Sequence, residues 1–186
     1  TDNCGVDSVT SNAPASFPVG TTTVTWTVVD TNGNSATCQQ TVTVTDAELP
    51  TITGPADVTT TNDAGLCSAS GVALGVPVTT NDNCGILTVT NDAPAIFVKG
   101  ATTVTWTVVD TNGNSATAAQ TVTVNDTEPP IIDCPVTNMV LEADPGECSR
   151  SNVTFTVTAT DNCGAVSLVS FPPSGSLFPI GTTIVT

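Results

Sequence analysis

Val24, Trp26 and Val28 alternate with Thr25 and Thr27, the two-residue period of a strand with one face buried. Asp30-Thr31-Asn32-Gly33-Asn34 interrupts the run, and the alternation resumes with Val42 and Val44 on one side. Asn-Gly between two such runs predicts a hairpin, because both central residues tolerate positive φ. Thr22 to Thr37 returns letter for letter as Thr102 to Thr117, at an offset of 80 residues. A fixed period of this kind sets the architecture before any local reading.

Other segments keep the same step. Thr1-Asp2-Asn3-Cys4-Gly5 recurs as Asn81 to Gly85 and as Thr160 to Gly164, and Phe17-Pro-Val-Gly recurs at Phe97 and Phe178. The chain therefore divides into residues 1–45, 46–125 and 126–186. Only the middle unit is expected to be complete, the first missing its early strands and the third its closing hairpin. In the third unit a strand is predicted over Ile131 to Leu141 and another over Asn152 to Ala159, with Val153, Phe155 and Val157 on one face. Turns fall at Asp144-Pro145-Gly146 and Pro172 to Gly175.

No window carries a helical period, and threonine and valine dominate, residues that fit a pleated surface better than a helix. The expectation is an all-β protein. Its 186 residues carry a net charge of −15, no His, no Tyr, and only Lys99 and Arg150 as cations. Such a surface argues against nucleic acid, whose phosphates need Lys and Arg, and against anionic membranes. No apolar run approaches the roughly 20 residues of a membrane span. Without an initiator Met or a signal segment, the chain reads as an internal piece of something longer. Seven cysteines with no His read as disulfides, and hence as a secreted or cell-surface setting.

Taken together, the DxxPPxIxCP opening at Asp126, the Gly-x-Cys at Gly146, the Asp-Asn-Cys-Gly loops, the FPxGTTxVT stretches and the Thr-Cys at Thr37 resemble the hyalin repeat (HYR) family across the entire chain. That resemblance implies tandem immunoglobulin-like β-sandwich domains in a linear extracellular array, with no enzymatic activity. The absence of any nucleophile motif points the same way.

Comparing the units suggests a cysteine pairing. The unit over 46–125 has Gly54 where the third has Cys134, and Ala118 where the first has Cys38. Two cysteines lost together suggest a lost disulfide, so the expected pairs are Cys67 with Cys84 and Cys148 with Cys163. Cys4, Cys38 and Cys134 are then expected to find partners outside these residues. A thiolate metal site lacks a Cys-x-x-Cys pair and any His, and a catalytic Cys lacks a base.

In a sandwich of this strand order, the entering linker, the Asp-Asn-Cys-Gly loop and the hairpin turn share one pole. That groups Asp46, Glu48, Asp82, Asp110 and Asn112 in the middle unit, Asp126, Glu128 and Asp161 in the third, and Asp2, Asp30 and Asn32 in the first. Two readings stand. Clustered carboxylates with few cations suit Ca²⁺, which takes 6 to 8 oxygens; Asp and Asn also simply build turns by bonding their own backbone.

Asn125-Asp126-Thr127 and Asn152-Val153-Thr154 match the glycosylation sequon. Trp26 and Trp106 lie in step with the inward valines and are expected in the core rather than on a sugar-binding surface. The expected function is structural: a segment of a long adhesin, stalk or filament, whose partners are neighbouring repeats or other copies in a filament. A glycan- or protein-binding module is the alternative.

Overall fold

The computed structural model describes residues 2–135 and 137–186, and every regular element among them is a β-strand. No helix among the described residues is long and apolar enough to cross a membrane. Residues 1–45 contain β1 (Val6–Ser11), β2 (Gly20–Asp30) and β3 (Ser35–Val44), forming one three-stranded antiparallel sheet in the order β1-β2-β3. Residues 46–125 contain β4 (Thr51–Thr53), β5 (Val58–Thr61), β6 (Ser68–Ser70), β7 (Thr79–Asn81), β8 (Ile86–Asn91), β9 (Ile96–Val98), β10 (Gly100–Asp110) and β11 (Ser115–Asn125). Their main sheet is β5-β11-β10-β8, with β4-β7 and β6-β9 as two-stranded pairs. Residues 126–186 contain β12 (Ile131–Asp133), β13 (Ser149–Val153), β14 (Thr158–Thr160) and β15 (Ser176–Pro179), paired as β12-β14 and β13-β15.

By contacts the chain forms two compact units, and the division crosses the middle repeat. The first takes the chain up to Gly54 with Val76–Asn91 and Thr105–Ala119. The second takes Pro55–Gly75, Asp92–Val104 and the chain from Gln120 on.

Most of the buried positions lie on β10 and β11, with Val24, Ala69, Phe97 and Val153 on other strands. Val104, Trp106, Val108 and Asp110 are buried in alternation along β10, and Gln120, Val122 and Val124 along β11. A strand's side chains point to opposite faces at every step, so this alternation is what one covered face demands. The amide of Gln120 is paired inside: its Nε2 donates to Ala56 O at 2.7 Å and to Leu74 O at 2.8 Å.

The sequence expectations need correcting at four places. Both hairpins form, but the connection is four residues long, and of its Asn-Gly pair only the glycine has positive φ, 88° at Gly33 and 94° at Gly113. This is the turn-plus-left-handed-glycine connection of longer hairpin loops, not the two-residue turn. The strand expected over Ile131 to Leu141 ends at Asp133, before Cys134-Pro135, since proline cannot donate to a ladder; Val136, inside that expected strand, lies outside the described residues.

The strand expected over Asn152 to Ala159 is split into β13 and β14. Asn152 has φ 53°, the register slips between Arg150 and Val153, and the Ser174 hydroxyl takes over Phe155. It accepts from Phe155 N and donates to Phe155 O, both at 3.1 Å, so a side chain replaces a ladder partner. Finally, Trp26 is 40% exposed where Trp106 is 6% exposed, although their flanking sequences are identical. Among the described residues, 2–45 supply one sheet and no second one to cover it.

Candidate functional site: the ends of the repeats

Each Asp-Asn-Cys-Gly loop is an Asx turn. Cys4 N donates to Asp2 Oδ1 at 2.7 Å, Cys84 N to Asp82 Oδ1 at 2.8 Å, and Cys163 N to Asp161 Oδ1 at 2.8 Å. The first two loops are latched to the hairpin turn by a threonine. Thr31 Oγ1 donates to Cys4 O at 3.1 Å, and Thr111 Oγ1 to Cys84 O at 2.9 Å. The turn itself is clamped by an aspartate. Asp110 Oδ1 accepts from Asn112 N and Asn114 N, and Oδ2 from Asn114 Nδ2 at 2.7 Å; Asp30 does the same with Asn32 and Asn34.

These contacts set the charge states. The Asn34 side chain, with the backbone N–H groups of the turn, lowers the Asp30 pKa. Burial pushes that of Asp110 up, but the Asn114 side chain and the turn N–H groups outweigh it and the net shift is down. Asp30 and Asp110 thus serve their own turns first.

The linker carboxylates of the middle repeat meet the same pole. Asn112 Nδ2 donates to Asp46 Oδ2 at 2.7 Å, and Asn83 Nδ2 to Glu48 Oε2 at 2.9 Å. Asp46, Asp82 and Cys84 bring ligand atoms within 4.8 Å of one another. Burial, then the Asp46 carboxylate beside it, raises the Cys84 thiol pKa. Asp82 Oδ2 is buried with no hydrogen-bond partner.

The acids of the third repeat are placed differently. Lys99 Nζ lies 3.0 Å from Asp126 Oδ2 and lowers the pKa of that carboxyl. Glu128 accepts from Gly65 N through both oxygens, at 2.8 and 3.0 Å. Thr127 N donates to Asn62 Oδ1 at 3.1 Å, and Asn162 Nδ2 to Leu66 O at 2.9 Å. Linker 126–128 and loop 161–163 are therefore both bound to the turn over 62–67 that closes the preceding repeat's early strands. Among the described residues, Asp161 gathers no cluster with Asp126 and Glu128.

At this junction Cys67 is bonded to Cys163, with their Cα atoms 4.7 Å apart. Cys4, Cys38, Cys84, Cys134 and Cys148 are free. This corrects the expected pairs Cys67–Cys84 and Cys148–Cys163. Lys99 N, just before β10, donates to Cys67 O, whereas Thr111, just after β10, holds Cys84. With Cys67 and Cys163 bonded to each other, each expected pair has lost one of its members. Comparing cysteine losses between units could not find this bond, because it joins one repeat to the next.

The HYR domain family matches residues 1–44 and 125–186. Hyalin of Lytechinus variegatus is 34% identical over 198 residues, covering all of this chain and 37% of its own length. Hyalin of Strongylocentrotus purpuratus is 37% identical over 201 residues, covering all of this chain and 16% of its own length. The Sushi, von Willebrand factor type A, EGF and pentraxin domain-containing protein 1 of Rattus norvegicus is 31% identical over 165 residues, 83% of this chain and 4% of its own length. This chain thus spans well under half of each of these relatives. No solved structure matches it. With the family matched on both flanks, and the sixteen-residue hairpin stretch of the first flank returning in the middle, the chain belongs to the HYR domain family.

Proposed function

We propose that this chain is a structural segment of a long extracellular array of immunoglobulin-like sandwich repeats, acting as adhesin shaft, stalk or filament. The observation that carries the reading is the binding of linker 126–128 and loop 161–163 to the turn over 62–67. Hydrogen bonds from Gly65, Thr127 and Asn162 leave that linker little freedom. A linker and a loop bound in this way to the preceding repeat suit a chain that bears load and keeps spacing. Limited proteolysis tests it: the linker over 126–130 should resist cleavage, and Asn62→Ala with Glu128→Ala should open it. Equal cleavage of both proteins would sink the reading.

We propose in addition that Ca²⁺ is held at the pole of the middle repeat by Asp46 and Asp82, with Glu48 beside them. The unpartnered, buried Oδ2 of Asp82 supports this, since a buried carboxyl oxygen without a donor suits a cation. Two carboxylates suit a hard cation and the Cys84 sulfur does not, so the remaining ligands would be backbone carbonyls and water. At the other junction Lys99 takes the corresponding role beside Asp126. Melting with millimolar Ca²⁺ and then with chelator is the test. A rise in Tm abolished by Asp82→Asn is expected, and an unchanged Tm would sink the metal.

A further inference from the structure

We propose that the Cys67–Cys163 bond is one instance of a staple repeated at every junction, joining the Gly-x-Cys cysteine of one repeat to the Asp-Asn-Cys-Gly cysteine of the next. Cys148 is then the open half of the following staple, and Cys84 and Cys4 are open halves of preceding ones. The inference rests on the array reading above.

The two halves are presented in the same way in each repeat. In the turn before Cys67, Asp63 N donates to Ser68 O, and Asp63 Oδ2 accepts from Ser70 N and Oγ at 2.9 and 2.7 Å. In the turn before Cys148, Asp144 N donates to Ser149 O, and Asp144 Oδ2 accepts from Ser151 N and Oγ at the same 2.9 and 2.7 Å. The carbonyls of the two cysteines accept from Lys99 N and Ile180 N, both at 3.1 Å. Cys148 is therefore held as Cys67 is, and it is exposed. On the receiving side, Cys4, Cys84 and Cys163 sit in the same Asx turn at 2.7 to 2.8 Å.

Closing a staple removes two electrons and two protons from the paired thiols. They pass to an extracellular disulfide of the glutathione class, which is reduced to two thiols. The mechanical result follows from position along the chain. Within a stapled repeat, force enters at one cysteine and leaves at another only 15 residues away (Cys148 to Cys163) or 17 away (Cys67 to Cys84). The closing hairpin lies off that covalent path. The covalent path through a stapled repeat can then span at most roughly 60 Å, against about 280 Å for the full 80-residue period, at about 3.5 Å per residue.

The test is single-molecule stretching of the 186-residue chain held by its ends, after refolding with oxidised glutathione and again with reductant. The staple hides a 96-residue span, so reduction should add roughly 330 Å of contour length. Bonds within repeats, Cys67–Cys84 and Cys148–Cys163, would hide 17 and 15 residues and add only about 110 Å, which overturns the proposal. No added length overturns it equally. Cys84→Ser and Cys148→Ser should leave the gain at roughly 330 Å, and losing it in either variant would count against the staple.

In the intact parent protein, non-reducing peptide mapping should recover the Cys148 peptide linked to an Asp-Asn-Cys-Gly peptide of the following repeat. Its recovery as a free thiol beside such a repeat overturns the extension along the array. Failure of the array reading shows separately, as a parent protein in which no repeat follows residue 186, and leaves the stretching result standing.

Discussion

Gly54 stands directly against Ala118: a Cβ carried by Gly54 would fall 3.4 Å from that of Ala118. These are the positions at which the other repeats carry Cys134 and Cys38. The middle repeat thus has the geometry of a disulfide without its sulfurs, since bonded cysteines place their Cβ atoms roughly 3.5–4.5 Å apart.

The pair Gly54→Cys with Ala118→Cys should therefore oxidise to one added disulfide. Closing a 64-residue loop should stabilise the repeat by about 4 kcal/mol in the chain-entropy model. The Ala119 carbonyl, 3.2 Å from the same point, has to give slightly. Denaturant midpoints with and without reductant measure the gain. Two titratable thiols beyond the parent's five after oxidation would show that the positions cannot be bridged.

Gln120 is 1% exposed and donates to two backbone carbonyls from loops that have no strand partner there. Gln120→Ala leaves Ala56 O and Leu74 O without their donor, a loss of about 2 kcal/mol. Urea unfolding should show this as a lower midpoint with an unchanged slope. A variant as stable as the parent would mean that water reaches both carbonyls.

The pH dependence should be one-sided. The Asp30, Asp110, Asp126 and Asp144 carboxyls all titrate below the ordinary 3.8, held down by Asn34, by the Asn114 and turn N–H donors that outweigh burial, by Lys99, and by Ser151 respectively. A depressed folded pKa gives stability that is complete above the unfolded value and is lost as pH falls through the folded one. Tm should hold steady from neutral pH down to about 5 and fall below about 4. Asp110→Asn should lower the neutral plateau and flatten the acid limb. An acid limb equally steep in that variant would remove Asp110 from the account.

The two tryptophans should be separable by light. Trp106, almost fully covered, should emit to the blue and resist iodide, while Trp26, 40% exposed, should emit to the red and be quenched. Its indole N–H, bonded to Gln40 Oε1 at 3.1 Å, does not shield the ring. Trp106→Phe should remove the blue, protected component; equal protection of both from iodide would show residues 1–45 covered in solution.

The sixteen residues shared by Thr22–Thr37 and Thr102–Thr117 divide what is local from what is not. Their alternation, their Asp-Thr-Asn-Gly turn and the aspartate clamp at its base are the same in both copies, because each depends only on neighbours along the chain or across one hairpin. The all-β class was legible for the same reason, and the period of 80 from the repeated residues themselves. Burial was not: Trp106 is 6% exposed and Trp26 40%, and no residue within the shared stretch carries that difference. Nor was the pairing of Cys67: comparison among repeats asks which residues vary together within a unit, whereas the bond depends on which loop of the next repeat comes to within 4.7 Å. Sequence set the strands and turns through short-range sterics and hydrogen bonding. Only the tertiary structure decided which faces are covered and which cysteines meet, since both depend on segments distant in sequence arriving at one place, 96 residues apart for Cys67 and Cys163.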